Sequence, residues 1–160
     1  EVDDAGDVQE RVDATVDLSL DKAATGTGVH LSLAARRVGN NDYRAKVRYL
    51  STGAVQLSIS RIVGGVETTI RNVNIAGLSV VPRDILRLRF QVTGTTTATL
   101  NAKVWPAGQT EPTAWQNTTT DTTAALNTAG AVAIITFNPS TSTNSPLVAS
   151  FDNLSVLQMN

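Results

Sequence analysis

The acidic residues Glu10, Asp13 and Asp17 and the single histidine, His30, are the side chains whose type and spacing come nearest to a reaction. Hydrolysis of a glycosidic bond needs two carboxyl groups about 5–10 Å apart, flanking the scissile bond. Asp13 and Asp17 share a face in a two-residue rhythm, whereas Glu10 falls on the opposite one, so the trio reads as a solvated acidic strand face. One histidine gives a zinc site or a Ser-His-Asp relay little to draw on, and His30 reads as a half-buried strand residue. With no cysteine, thiolate nucleophiles, disulfides and cysteine-ligated metals are excluded, and neither a phosphate loop nor a dinucleotide glycine pattern occurs. The chain is expected not to be an enzyme.

Binding asks for different residues. A sugar site needs an aromatic face for the apolar side of a pyranose and fixed polar groups for its hydroxyls. Aromatics make up 4% of the chain, which is sparse for that task. Trp105 falls out of the apolar register of Leu100, Ala102 and Val104, and Trp115 follows the loop running from Pro106 to Thr113. Either both tryptophans are exposed for stacking, or both pin that loop to the body of the domain. Arg44, Lys46, Arg48, Arg87 and Arg89 form a second candidate surface, able to grip an acidic polysaccharide if their strands are neighbours, because arginine forks suit carboxylates. The alternative is mutual neutralisation by Asp13, Asp17 and Asp21 across strands.

The wider composition bounds these readings. A chain of 160 residues fits one domain, spanning 1–160, and can bury roughly 70% of the surface its unfolded form exposes. A formal net charge of −1 supplies no global field for nucleic acid or an anionic membrane. No apolar run approaches the roughly 20 residues of a spanning helix, so membrane insertion is not expected, and residues 1–20 lack the order of a signal peptide. The expectation is a soluble domain whose export signal has been removed. Runs such as Thr95-Thr96-Thr97, Thr118-Thr119-Thr120 and Ser140 to Ser145 suit strand surfaces and long polar loops of a secreted or cell-surface protein.

The elements that must position these residues are strands. Even positions from Val8 to Leu20 are mostly apolar and odd positions polar, a period of two. The same alternation recurs in Val29 to Arg36, with His30, Ser32, Ala34 and Arg36 on one side, and in Tyr43 to Tyr49, Val55 to Ile59, Leu86 to Val92 and Leu100 to Val104. Gly39 to Asp42 and Ser51-Thr52-Gly53 read as turns. Gly64-Gly65, between Ser58–Val63 and Val66–Ile70, matches a two-residue hairpin loop. Gly130 to Phe137 is a short apolar run of the kind buried on both faces, Asn138 to Pro146 is a loop, and Leu147 to Leu157 is a last strand. Only Thr122 to Asn127 suits a helical turn. So many antiparallel strands would leave an apolar face bare in one open sheet, which predicts an all-β fold of two packed antiparallel sheets.

Several stretches carry a resemblance: Leu88-Arg89-Phe90 to Val92-Thr93-Gly94, Leu100 to Lys103-Val104-Trp105, Gly108, Glu111-Pro112, Trp115 and Phe151-Asp152-Asn153-Leu154-Ser155-Val156. Together with Arg36-Arg37 and Tyr43-Arg44-Ala45-Lys46-Val47 they resemble the concanavalin A-like, laminin-G-like jelly-roll modules of exported bacterial proteins. The resemblance spans most of residues 8–157 and implies two curved antiparallel sheets, a module excised from a larger multidomain protein, neighbouring domains of the same polypeptide as partners, and a polysaccharide or other glycan as the ligand. A structural or adhesion spacer without a sugar ligand, and a hydrolase with an atypical site, are the alternatives. The Glu-x-Asp-x-x-Glu strand of the family's hydrolases has no match here. The family's calcium position falls on Asp152, with Glu1, Asp3, Asp4 and Asp7 as the available companions.

Overall fold

The computed structural model describes residues 11–158. Ten strands follow in chain order: β1 (Val12–Leu20), β2 (Val29–Val38), β3 (Asn41–Tyr49), β4 (Ala54–Val63), β5 (Val66–Ser79), β6 (Leu86–Thr93), β7 (Ala98–Pro106), β8 (Asn117–Asp121), β9 (Ala131–Phe137) and β10 (Ala149–Gln158). A single 3₁₀ turn, Ala124–Leu126, lies between β8 and β9, inside the segment expected to be helical. The strands form two five-stranded sheets, β10-β1-β6-β7-β8 (the first sheet) and β5-β4-β3-β2-β9 (the second), with every pairing antiparallel.

The two-residue rhythm explains why the sheets stack. Ala14, Val16 and Leu18 of β1 and Leu86, Leu88, Phe90 and Val92 of β6 meet Leu31 and Leu33 of β2, Tyr43, Ala45 and Val47 of β3 and Leu57 and Ile59 of β4 in one continuous core. Each of these is at most 1% exposed, so burial is complete rather than partial. Between β4 and β5 the chain reverses at Gly64 and Gly65, whose φ angles of 58° and 82° are those of a tight hairpin turn.

Four expectations need correction. β9 is an edge strand paired only with β2, and its residues are exposed or half-buried, because a short apolar run does not distinguish a doubly covered strand from an edge. β5 runs on to Ser79, well past Ile70, with Val73, Ile75 and Leu78 packed against the core. β8 falls where no strand is expected, because it lacks large apolar residues. Its inward side chains are Asn117, which donates to the Leu57 and Arg71 carbonyls at 2.9 and 3.2 Å, and Asp121, which accepts from Tyr43 Oη at 2.9 Å.

Arg36 is the fourth. The alternation put it on the wet side of β2, but a bulge between Ala35 and Val38 and a φ of 52° turn it inward, where it is 0% exposed. Its guanidinium donates to the Leu126 carbonyl at 3.3 Å and to the Gly94 carbonyl. The side chain thereby ties the second sheet to the turn after β6 and to the 3₁₀ turn.

Candidate functional site

The five expected cations do not share a surface. Arg87 and Arg89 stand on β6 of the first sheet, whereas Arg44, Lys46 and Arg48 stand on β3 of the second. Both rows point outward because the intervening residues fill the core, so the two groups lie on opposite outer faces of the sandwich.

On the first sheet, register decides the outcome. Arg89 lies opposite Thr15 on β1 and Arg87 opposite Asp17. Arg89 donates from Nε and Nη2 to Asp13 at 2.8 and 2.6 Å, and Arg87 grips Asp17 at 2.6 and 2.8 Å. The expected neutralisation by Asp13 and Asp17 is therefore what these two arginines undergo, while Asp21 instead accepts the Val148 backbone N–H. Arg89 and Lys103 also reach Glu111 at 2.6 and 2.7 Å, and their charges lie 5.4 and 4.6 Å from the Trp115 ring. Trp115 is half-buried and Trp105 only 5% exposed. Trp105 is thus covered and the Trp115 ring lies against two cations, so neither tryptophan offers a ligand a bare ring.

Asp152 is exposed, lies opposite Asp17 in the β1–β10 ladder, and its Oδ1 accepts the Asn153 N–H at 2.7 Å. Asp17 is already held by Arg87 and by Asn153 at 2.8 Å. Glu1, Asp3, Asp4, Asp7 and Glu10 lie outside the described residues. Among the described residues no three His, Cys, Asp or Glu side chains gather as a metal site, and the companions expected for Asp152 lie outside those residues.

The second sheet is organised differently. Its registers set three transverse rows side by side: Phe137–His30–Arg48–Gln56, Ile135–Ser32–Lys46–Ser58 and Ala133–Ala34–Arg44–Ser60. Read across the strands, an apolar wall on β9 faces a cationic ridge on β3 over a floor of His30, Ser32 and Ala34 on β2. Wall and ridge are two inter-strand spacings apart, about 10 Å. A cleft of about 220 Å³ lies there, lined by His30, Ser32, Arg44, Lys46, Glu67 and Phe137 among others. That is smaller than the ~300–1,000 Å³ of pockets for drug-sized ligands and suits a single ring.

Phe137 was missed by sequence reasoning, which looked to the tryptophans. Among the described residues, which include every aromatic of the chain, it is the one exposed aromatic, at 59%, and its ring centroid lies 5.8 Å from that of His30. The only available signal was its place at the end of a β-branched run beside a polar loop.

Polar groups around the cleft are fixed. Asp42, fully buried, accepts from Arg37 at 2.9 Å and from Arg44 at 2.6 and 3.1 Å. Lys46 reaches over β4 to Glu67. Arg48 donates from Nε to the Thr27 carbonyl at 2.7 Å and from Nη1 to Gln56 at 3.3 Å. Burial disfavours the ionised Glu67, but the hydrogen bonds from Lys46 and Ser60 and the charges of Lys46 and Arg44 outweigh it and hold its carboxyl below the usual range. Burial, reinforced by the Lys46 and Arg48 charges and opposed by Glu67, pushes His30 down to about 4. The ring is neutral near pH 7, and its buried Nδ1 has no hydrogen-bond partner.

No protein-family description matches the sequence, and no curated protein matches it. Solved structures do match. A carbohydrate binding module CBM66 from Bacillus subtilis superposes with a TM-score of 0.60 at 13% identity, over 92% of this chain and 74% of that one. The fold is a two-sheet antiparallel β-sandwich of the jelly-roll kind. A mutant of the GH43 protein BlXynB from Bacillus licheniformis (TM-score 0.59, 12% identity, 94% of this chain) and a xylan beta-1,4-xylosidase from Bacillus halodurans C-125 (0.59, 14%, 92%) contain the same jelly roll. This chain spans only 28% and 27% of the lengths of those two proteins. Among the described residues no helix is long and apolar enough to cross a membrane.

Proposed function

We propose that this domain is a non-catalytic, glycan-binding accessory module of an exported protein, and that the sugar lies on the outer face of the second sheet. The observation that carries this reading is Phe137, an exposed ring beside His30 at the mouth of a one-ring cleft whose polar lining is already ordered. Stacking on such a ring contributes most when the surrounding donors and acceptors need no rearrangement to meet hydroxyls. The likeness to a carbohydrate binding module supports the same reading, and the likeness to parts of longer glycan-acting proteins supports a place beside other domains of one extracellular polypeptide.

A non-catalytic role is supported by the carboxylates. A glycosidase needs one carboxyl group raised so that it is protonated near its working pH. Asp17, Glu67, Glu111 and Asp121 are all held below the usual range, through hydrogen bonds and charges that prevail over desolvation where the two compete.

Affinity electrophoresis through gels containing single polysaccharides tests the proposal. Retention by at least one polysaccharide is expected, lost in Phe137→Ala and kept in Trp115→Ala. Retention unaffected by Phe137→Ala, or a new reducing end released from the retaining polysaccharide, overturns it.

A further inference from the structure

The second-sheet face carries more positive than negative charge, and its layout indicates where a complementary charge would sit. Among the described residues Arg37, Arg44, Lys46 and Arg48 stand on it or at its rim, against the carboxylates of Asp42 and Glu67. Four cations less two carboxylates leave a surplus of two. The first-sheet face has no such surplus, since Arg87, Arg89 and Lys103 face Asp13, Asp17 and Glu111.

We infer that the glycan bound on this face is anionic, a polysaccharide with a carboxylate or sulfate on its sugar ring. The inference rests on the reading above and names the ligand class for the same cleft. A ring laid over Ser32 and His30 would place one edge against Phe137 and Ile135 and the other, about 10 Å across, against Lys46 and Arg48. Apolar wall and cationic ridge thus match an amphipathic ring whose acidic substituent points to β3. Lys46 spends one of its three N–H donors on Glu67, leaving ammonium donors for an anion. Arg48 is oriented beforehand by the Thr27 carbonyl and Gln56, so the ridge is ordered before any ligand arrives. His30 supplies no charge at neutral pH, which leaves β3 as the source of attraction beside the wall.

The experiment compares polygalacturonate, alginate and dextran sulfate with methyl-esterified polygalacturonate, dextran, levan and xylan as probes, by isothermal titration calorimetry on the intact domain. The expected result is binding to at least one anionic probe, weakened about tenfold or more between 0.1 and 1 M salt as the Debye length falls from about 10 to about 3 Å, and weakened similarly in Lys46→Gln. Carboxylate and sulfate probes separate the two acidic groups. Because Lys46→Gln also releases Glu67, a second readout is the His30 ring followed by NMR. Lys46, Arg48, Arg44 and Glu67 are the charged groups facing it, and an anion bound beside them raises its pKa, whereas a neutral sugar does not. Binding of neutral probes with no preference for charge, lost in Phe137→Ala, overturns the anionic assignment and keeps the glycan-binding reading. Silence toward every probe overturns both.

Discussion

Arg87 and Asp17 meet fork to fork across the β1–β6 ladder, Nε to Oδ1 at 2.6 Å and Nη2 to Oδ2 at 2.8 Å, with Asp17 only 6% exposed. The arginine's hydrogen bond is the largest influence on this carboxyl and, with Asn153, holds it below the usual range against desolvation. Arg87→Ala leaves a covered carboxylate short of donors, and a loss of about 1–3 kcal/mol is expected in urea unfolding. The double variant Arg87→Ala/Asp17→Ala should recover part of that loss, and a cycle with no coupling refutes the pairing.

Arg36 presents a different kind of dependence. It is fully buried, and its guanidinium caps carbonyls from two separate turns. Arg36→Ala is expected to cost about 2–5 kcal/mol, because a large cavity and unpaired acceptors arise together. A thermal melt within two or three degrees of the parent would show that the guanidinium is not needed to hold the second sheet to those turns.

Acid should weaken the fold in two stages. His30 titrates at about 4 when folded and about 6.5 when unfolded, so between those values the unfolded chain takes up a proton that the folded one does not. Stability therefore falls as pH drops from about 6.5 to about 4, by at most about 3 kcal/mol. Asp17 and Glu67, depressed in the fold, give stability that is present above their unfolded values and lost as pH falls further, through their folded ones. His30→Gln is expected to flatten the upper stage only. Urea midpoints at half-unit pH steps check this, and a variant that still tracks the parent between pH 6 and 5 contradicts it.

Trp115→Ala tests the structural role of the loop. Two cations lie against its ring, and each such contact is worth about 0.5–1 kcal/mol when partly exposed. The variant is expected to lose about 1–2 kcal/mol and to become more susceptible to proteolysis between Pro106 and Thr113, with glycan retention unchanged. Lost retention with an unaltered melting temperature would move the site to the first sheet.

How much of this was legible in the chain can be judged from single residues. Alternation in Leu86 to Val92 and Tyr43 to Tyr49 named the core side chains correctly, and Gly64-Gly65 named its turn, because both depend on neighbours in sequence. Asn117 and Asp121 concealed β8, since a strand anchored by hydrogen bonds leaves no apolar signature. Arg36 broke the rhythm through a backbone angle that its side-chain type does not announce.

By itself, then, the sequence determined which side is dry in the strongly alternating strands β1, β3, β4, β6 and β7, and with it the stacking of two sheets. Only the tertiary structure decided that β2 lies between β9 and β3, setting Phe137, His30 and Arg48 in one row, and that β6 faces away from them. The reason is physical: a period of two fixes the direction of a side chain relative to its own strand, whereas the choice of neighbouring strand depends on how the whole chain closes its core.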